Sequence, residues 1–210
     1  MIISYAHNFI FVRTRKTASS TIEDVLRSNL TPDDISVSQK KLVSGQTKTE
    51  VSMQHENVAG HMTLKQIMPL VSPEFWTRSF KFSCERHPYE KAVSLAYYNW
   101  VSGKKRGAPR DMGFENYLDQ IVRRGNYRGF DHYSIDGQVA VGDFIRFETL
   151  LEDLQRIGSH LGLTIPVELP RKKTVQRKDR RPAHEILSDE QKQIVYAKCR
   201  EEFELFGYTR

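Results

Sequence analysis

The feature that most constrains this chain is an alternation of short apolar runs with segments of helical period. NFIFVR (8–13), FKFSCER (80–86) and VGDFIRFE (141–148) are rich in aromatic and β-branched residues and read as buried strands. Each is followed by a helix. After a polar loop, the first leads to IEDVLRSNL, with Ile22, Val25 and Leu26 at helical spacing. The second leads to PYEKAVSLAYYNWV, whose apolar side carries Ala92, Val93, Ala96, Tyr97 and Trp100 and whose proline sits where a missing N–H costs least. The third leads to TLLEDLQRIGSHLG. Strands separated by helices predict a parallel sheet. At 210 residues the expected architecture is one α/β domain over 1–210, a central parallel sheet flanked by helices.

The remaining segments read more simply. Residues 62–70 predict a short helix ended near Pro69, GFENYLDQIVRR another, and SDEQKQIVYAKCREEFELFGY a terminal helix with a serine cap and an acidic first turn. Residues 32–57, polar and carrying Pro32 and Gly45, are expected to form an exposed insertion with little core. Residues 103–113 and 171–181 are basic loops without periodicity. No apolar run approaches the ~20 residues of a membrane span, and the first residues lack a secretory pattern. A soluble, cytoplasmic protein is expected. Cys84 and Cys199 have neither metal-ligand nor disulfide-framework spacing, so buried free thiols and no metal are expected.

A net charge of +6 favours polyanionic partners: nucleic acid, an anionic glycan or lipid surface, or a nucleotide with several phosphates. Charge does not choose among them. The loop RKTASST (15–21) narrows the choice, because it joins a strand to a helix whose first N–H groups lack partners within the helix and suit an anion. Lys16 adds a mobile charge, and Thr17, Ser19, Ser20 and Thr21 add hydroxyl donors. A capped surface helix beside a lysine shows the same pattern. The loop is not a Walker A motif, since GxxxxGK[ST] is absent.

A second segment, RHPYEKAVSLAYY (86–98), places Arg86 at the end of a strand and Ser94 two turns into the following helix. Together with RKTASST, DFIRFETLLEDL (143–154) and the ending FELFGY, it resembles the sulfotransferases that use 3′-phosphoadenosine-5′-phosphosulfate (PAPS), specifically the Golgi carbohydrate type and its bacterial relatives. That resemblance implies a nucleotide-kinase-like fold and a donor held by Arg15, Lys16, Thr17, Ala18, Ser19, Ser20 and Thr21. Arg86 and Ser94 bind the donor's 3′-phosphate in this reading, where a guanidinium fork fits better than an ammonium. Otherwise they are a salt-bridged arginine and a buried helix serine. Two departures occur: Arg15 replaces the usual loop proline, and Lys91 stands where the family often has arginine.

Sulfuryl transfer needs a base for the acceptor hydroxyl and a cation for the departing phosphate oxygen. Lys16 fits the second role. HENVAGHMTL (55–64) occupies the interval where the glycan sulfotransferases it resembles carry a histidine before a short helix, which implies His61 as the base; an ordinary imidazole accepts a proton near neutral pH, and the preceding glycine permits close approach. Its other reading is a capping or surface histidine. His55 and Glu56 are the runners-up, and His87, next to Pro88, reads as structural. The resemblance implies that the basic loop 171–181 closes over the nucleotide with one or two of its residues, Arg171 and Lys173 preferred; charge runs otherwise form solvated surface. The acceptor expected from the resemblance is hydroxylated, possibly an anionic glycan, with no nucleic acid, and the product is adenosine 3′,5′-bisphosphate. A small-molecule kinase is the first alternative and lacks a Walker loop and magnesium ligands. A basic nucleic-acid-binding protein is the second and lacks a reading motif.

Overall fold

A computed structural model describes residues 1–41, 47–51, 59–103, 112–169, 177 and 179–210. In chain order the elements are β1 (Ile2–Ser4), β2 (Phe9–Val12), α1 (Ser19–Arg27), β3 (Ile35–Lys41), β4 (Thr47–Val51), α2 (Leu64–Ile67), α3 (Pro73–Arg78), β5 (Phe80–Glu85), α4 (Pro88–Gly103) and α5 (Phe114–Arg124). Then follow α6 (Phe130–Tyr133), β6 (Ser134–Ile135), β7 (Gln138–Val139), β8 (Asp143–Arg146), α7 (Leu150–Leu161), α8 (Ala183–Ile186), α9 (Asp189–Lys198) and α10 (Arg200–Phe206). Their contacts divide into two compact units. The first comprises 1–14, 18–85 and 131–170; the second comprises 15–17, 86–130 and 171–210.

The first unit is built on a six-stranded mixed sheet of order β4-β3-β1-β2-β5-β8. The three runs read as strands form its parallel part, with β2 beside β5 and β5 beside β8. The sheet is mixed because β1, β3 and β4 extend it in antiparallel register. β2 shows why the parallel part was legible: all four of its residues are buried, and a strand covered on both faces reads as an unbroken apolar run. Its side chains alternate between two cores. Phe9 and Phe11 meet Ile22, Val25 and Leu26 of α1 together with Phe82 and Ile145. Ile10 and Val12 meet Ile3, Leu64, Ile67 and Phe75. Removing a ring such as Phe11 would cost about 3–5 kcal/mol.

Within the stretch 32–57 expected as an exposed insertion, residues 32 and 33 are exposed and 34–37 are buried, while 42–46 and 52–57 lie outside the described residues. Ile35 and Val37 are buried in the core, and β3 and β4 pair over five positions. Asp34, fully buried, anchors the entry: it accepts hydrogen bonds from Ser4 Oγ at 3.1 Å and from the N–H groups of Tyr5, Ala6 and Thr31 at 2.6, 3.2 and 2.9 Å. A polar sequence can hide a core contact when a buried carboxylate within it is satisfied by hydrogen bonds.

The second unit is helical. Tyr89, Ala92, Val93 and Ala96 of α4 pack with Leu118, Ile121 and Val122 of α5 and with Val195, Cys199 and Phe203. Ser188 caps α9 through a reciprocal capping box with Gln191. The single terminal helix expected from the sequence is two: the backbone leaves helical geometry at Cys199, and α10 restarts at Arg200. Lys91 is fully buried 3.7 Å from Glu202, whose Oε1 accepts from the N–H groups of Gly129 and Phe130. Both cysteines are buried and unbridged. Among the described residues, no helix is long and apolar enough to cross a membrane.

Candidate active site

The loop after β2 is shaped by backbone conformation. Lys16 and Ala18 take left-handed φ values of 65° and 60°, a region that costs a residue with a Cβ roughly 1–2 kcal/mol. Left-handed residues in a turn gather successive N–H groups into an anion-binding concavity. Ala18 is the N-cap of α1 and offers no side-chain hydrogen bond to it. Its carbonyl accepts from Thr21 N–H at 2.8 Å and Ile22 N–H at 3.2 Å. Ser19 Oγ donates to the Thr14 carbonyl at 3.1 Å, and the Thr14 hydroxyl donates to the Cys84 carbonyl on β5. Thr17, Ser19 and Thr21 are buried, Ser20 is half-buried and Arg15 is exposed.

Arg13 is a member of this region that the sequence reading missed. Its Nε and Nη2 donate to the hydroxyls of Ser19 and Ser20 at 3.4 and 3.2 Å, and its Nη1 pairs with the buried Glu23 at 2.7 Å. The available signal was a cation closing an apolar strand directly before a loop of hydroxyls.

In the second unit, Arg86 Nη1 donates to the Lys16 carbonyl at 3.5 Å, and the Lys16 ammonium lies 4.2 Å from the Tyr98 ring centroid. Such cation–π contact restrains a lysine that would otherwise sweep freely. Ser94 and Tyr98 are one turn apart, and Glu90 is one turn before Ser94, so the three share a face of α4. Glu90 is the hub. Its Oε2 accepts from Arg86 Nη2 at 2.9 Å and from Arg177 Nη1 at 2.7 Å, while its Oε1 accepts from the N–H of Ala183 at 2.8 Å, capping α8 from a distance. Burial by itself raises the Glu90 carboxyl. The Ala183 N–H and the two guanidiniums outweigh it and hold the group below its ordinary range. Arg177 also donates to the carbonyls of Asp179 and Arg181.

The sequence-derived residues therefore fall into groups. Lys16, Arg86 and the α4 face that carries Ser94 are brought together, with Arg177 as the basic-loop residue on Glu90; Arg171 and Lys173 lie outside the described residues. His61 belongs to the first unit, exposed on the turn before α2. That turn is fixed by the Gly60 carbonyl, which accepts from the Met1 amino group at 2.9 Å, and by Met62, buried in the core. His55 and Glu56 lie outside the described residues. His87 has the structural place expected of it: its Nε2 bonds the Thr209 carbonyl at 3.0 Å, its Nδ1 accepts from Tyr89 N–H, and its ring packs on Tyr89, Phe203 and Tyr208.

The second unit also holds a cavity of about 580 Å³ lined by Tyr97, Phe114, Asn116, Asp179, Arg181 and Gln191 among others. Tyr97 and Phe114 stack at 4.1 Å. Hydrogen bonds from Arg181 hold the Asp179 carboxyl at about 2. Aromatic faces beside amides and a charge pair suit a hydroxylated ring.

Comparison with known proteins gives one match. A family described as the sulfotransferase family matches residues 1–209. No curated protein and no solved structure matches the chain.

Proposed function

We propose, for a chain that belongs to the sulfotransferase family, that the donor is PAPS and the acceptor a hydroxyl, on a glycan or another hydroxylated small molecule, in a soluble cytoplasmic setting. The observation that carries this reading is the pair of guanidiniums, Arg86 and Arg177, converging on one carboxylate next to Lys16. A 3′-phosphate is the group that distinguishes PAPS from ordinary adenylates, and two arginine forks are the chemistry that recognises it. The left-handed turn at Lys16 and Ala18, with the hydroxyls of Thr17, Ser19, Ser20 and Thr21, supports placing the 5′-phosphosulfate on loop 15–21.

When bound, the donor supplies a sulfuryl group activated by its bond to phosphate. The chain's own residues then have three tasks. Loop 15–21 and the arginines hold the donor so that attack runs in line. His61 accepts the acceptor's proton as the hydroxyl oxygen bonds to sulfur. Lys16 neutralises charge growing on the phosphate oxygen as the bond from sulfur to that oxygen breaks, releasing adenosine 3′,5′-bisphosphate. No metal enters this scheme. The cavity beside Tyr97 supports a hydroxylated ring among the acceptors.

Calorimetric titration with adenosine 3′,5′-bisphosphate, with adenosine 5′-monophosphate as control, tests the donor. Micromolar binding that requires the 3′-phosphate and disappears in Arg86→Ala supports the reading; equal binding of both nucleotides, or none, overturns it. For the base, His61→Ala is expected to keep nucleotide affinity and lose turnover. Retained turnover would transfer that role to His55 or Glu56.

A further inference from the structure

We infer that Glu90 is an internal competitor for the phosphate, a carboxylate that occupies the donor's arginines in the empty site and thereby weakens nucleotide binding and speeds product release. The inference rests on the donor reading above and adds to it a residue with the opposite sign of effect. Its basis is that one oxygen, Oε2, takes both guanidiniums, at 2.9 Å from Arg86 and 2.7 Å from Arg177. These side chains are 15% and 19% exposed, and Glu90 is 24% exposed, so the three charges interact in a partly desolvated setting where Coulomb terms are larger than in water.

A phosphate arriving at these arginines carries about −1.5 to −2 charges and three acceptor oxygens. If the guanidiniums turn to it, their bonds to Glu90 are lost. If Glu90 stays, it adds a like charge beside the phosphate. Both routes subtract from affinity, by the charge of one residue that makes no attraction to the ligand. The Ala183 N–H on Oε1 keeps the carboxylate in place, ready to retake the arginines when the nucleotide departs. Because release of product limits turnover in many enzymes, a carboxylate with this role raises turnover while lowering affinity. The contrary role, in which Glu90 preorganises Arg86 and Arg177 for the ligand, predicts weaker binding when it is removed.

Glu90→Gln separates the two, since the amide oxygen still accepts from Ala183 while the charge is gone. Circular dichroism and thermal melting establish that the variant is folded, and Glu90→Ala serves as a second neutral variant. Titration with adenosine 3′,5′-bisphosphate should give binding on the order of tenfold tighter than wild type, with adenosine 5′-monophosphate binding unchanged and turnover reduced. Unchanged or weaker binding of the bisphosphate by the folded variants overturns the inference. An equal gain for both nucleotides also overturns it, because the competition would not be for the 3′-phosphate. If wild type itself fails to bind the bisphosphate, it is the donor reading that fails.

Discussion

Loop 15–21 and the cluster of Arg86, Glu90 and Arg177 offer anion-binding chemistry built from different materials. The loop works through backbone: two left-handed residues and a helix start orient N–H groups. The cluster works through side-chain charge assembled across 87 positions of sequence between Glu90 and Arg177. The difference teaches where recognition resides. Backbone N–H groups donate to any phosphate or sulfate oxygen and are weakly affected by which side chains surround them, whereas paired guanidiniums select a dianion at one place. A loop of the first kind is shared by many nucleotide-binding proteins; the second kind is what the proposed 3′-phosphate site requires.

The largest effect expected is at the loop's ammonium group, Lys16. Lys16→Ala should lower kcat/KM by roughly 10²–10³, the loss seen when a group stabilising developing negative charge is removed, and should weaken the nucleotide as well. A kcat unchanged against a raised KM would make Lys16 a binding residue only, and the contrast between backbone and charge would sharpen. Next comes Arg177→Ala, which removes a charge-assisted hydrogen bond of about 1.5–3 kcal/mol and should weaken adenosine 3′,5′-bisphosphate roughly tenfold to a hundredfold by titration. If Arg177→Ala leaves affinity intact, the cluster reduces to Arg86 and the basic loop has no share in the donor site.

How far these regions were legible in sequence follows from the same contrast. RKTASST could be read because strand, loop and helix are consecutive, and Arg86 and Ser94 because they lie eight positions apart in one segment that runs from the end of β5 into α4. Arg177 could not be chosen over Arg171 or Lys173: a basic run of equivalent charges gives no local reason to prefer one, and only packing selects the residue that meets Glu90. Glu90 itself reads as an ordinary exposed acid in a helix's first turn. Arg13 gave a weak signal, a cation at a strand end before a loop of hydroxyls, which does not say that it turns back onto Ser19 and Ser20. In the fold, β2, β5 and β8 were visible as apolar runs. β3 was masked by serines and lysines, and the break at Cys199 by a helical pattern that continues through it. The left-handed φ of Lys16 and Ala18 had no signal at all, as neither is a residue that normally favours it.

Smaller effects probe what each region contributes to stability. Ser19→Ala removes the hydroxyl bonded to the Thr14 carbonyl and to Arg13, and urea denaturation should show a loss of about 1 kcal/mol. The cluster should instead reveal itself through pH. The Glu90 carboxyl is held below its ordinary value of 4.5, so the folded chain binds that proton less readily than the unfolded chain. The stability Glu90 contributes is complete above the ordinary value and is lost as pH falls through the lowered one. Glu90→Gln should therefore flatten the acid limb of stability against pH below about 4.5, and an unchanged limb would mean that the arginines do not favour the ionised form.

The smallest expected change is Ala18→Gly. A Cβ at φ 60° is strained by roughly 1–2 kcal/mol, which glycine relieves, while the unfolded chain gains freedom that costs roughly 0.5–1 kcal/mol. The two nearly cancel, so the melting temperature should rise slightly or stay level. Nucleotide affinity is the sharper readout. If the concavity is fixed by its surroundings, with Ser19 tied to Thr14 and Lys16 restrained by Arg86 and Tyr98, glycine leaves affinity within a factor of about two. A larger fall would mean that the alanine's own conformational preference holds the turn. The loop would then depend on side-chain identity as the cluster does, and the distinction between the two regions would be lost.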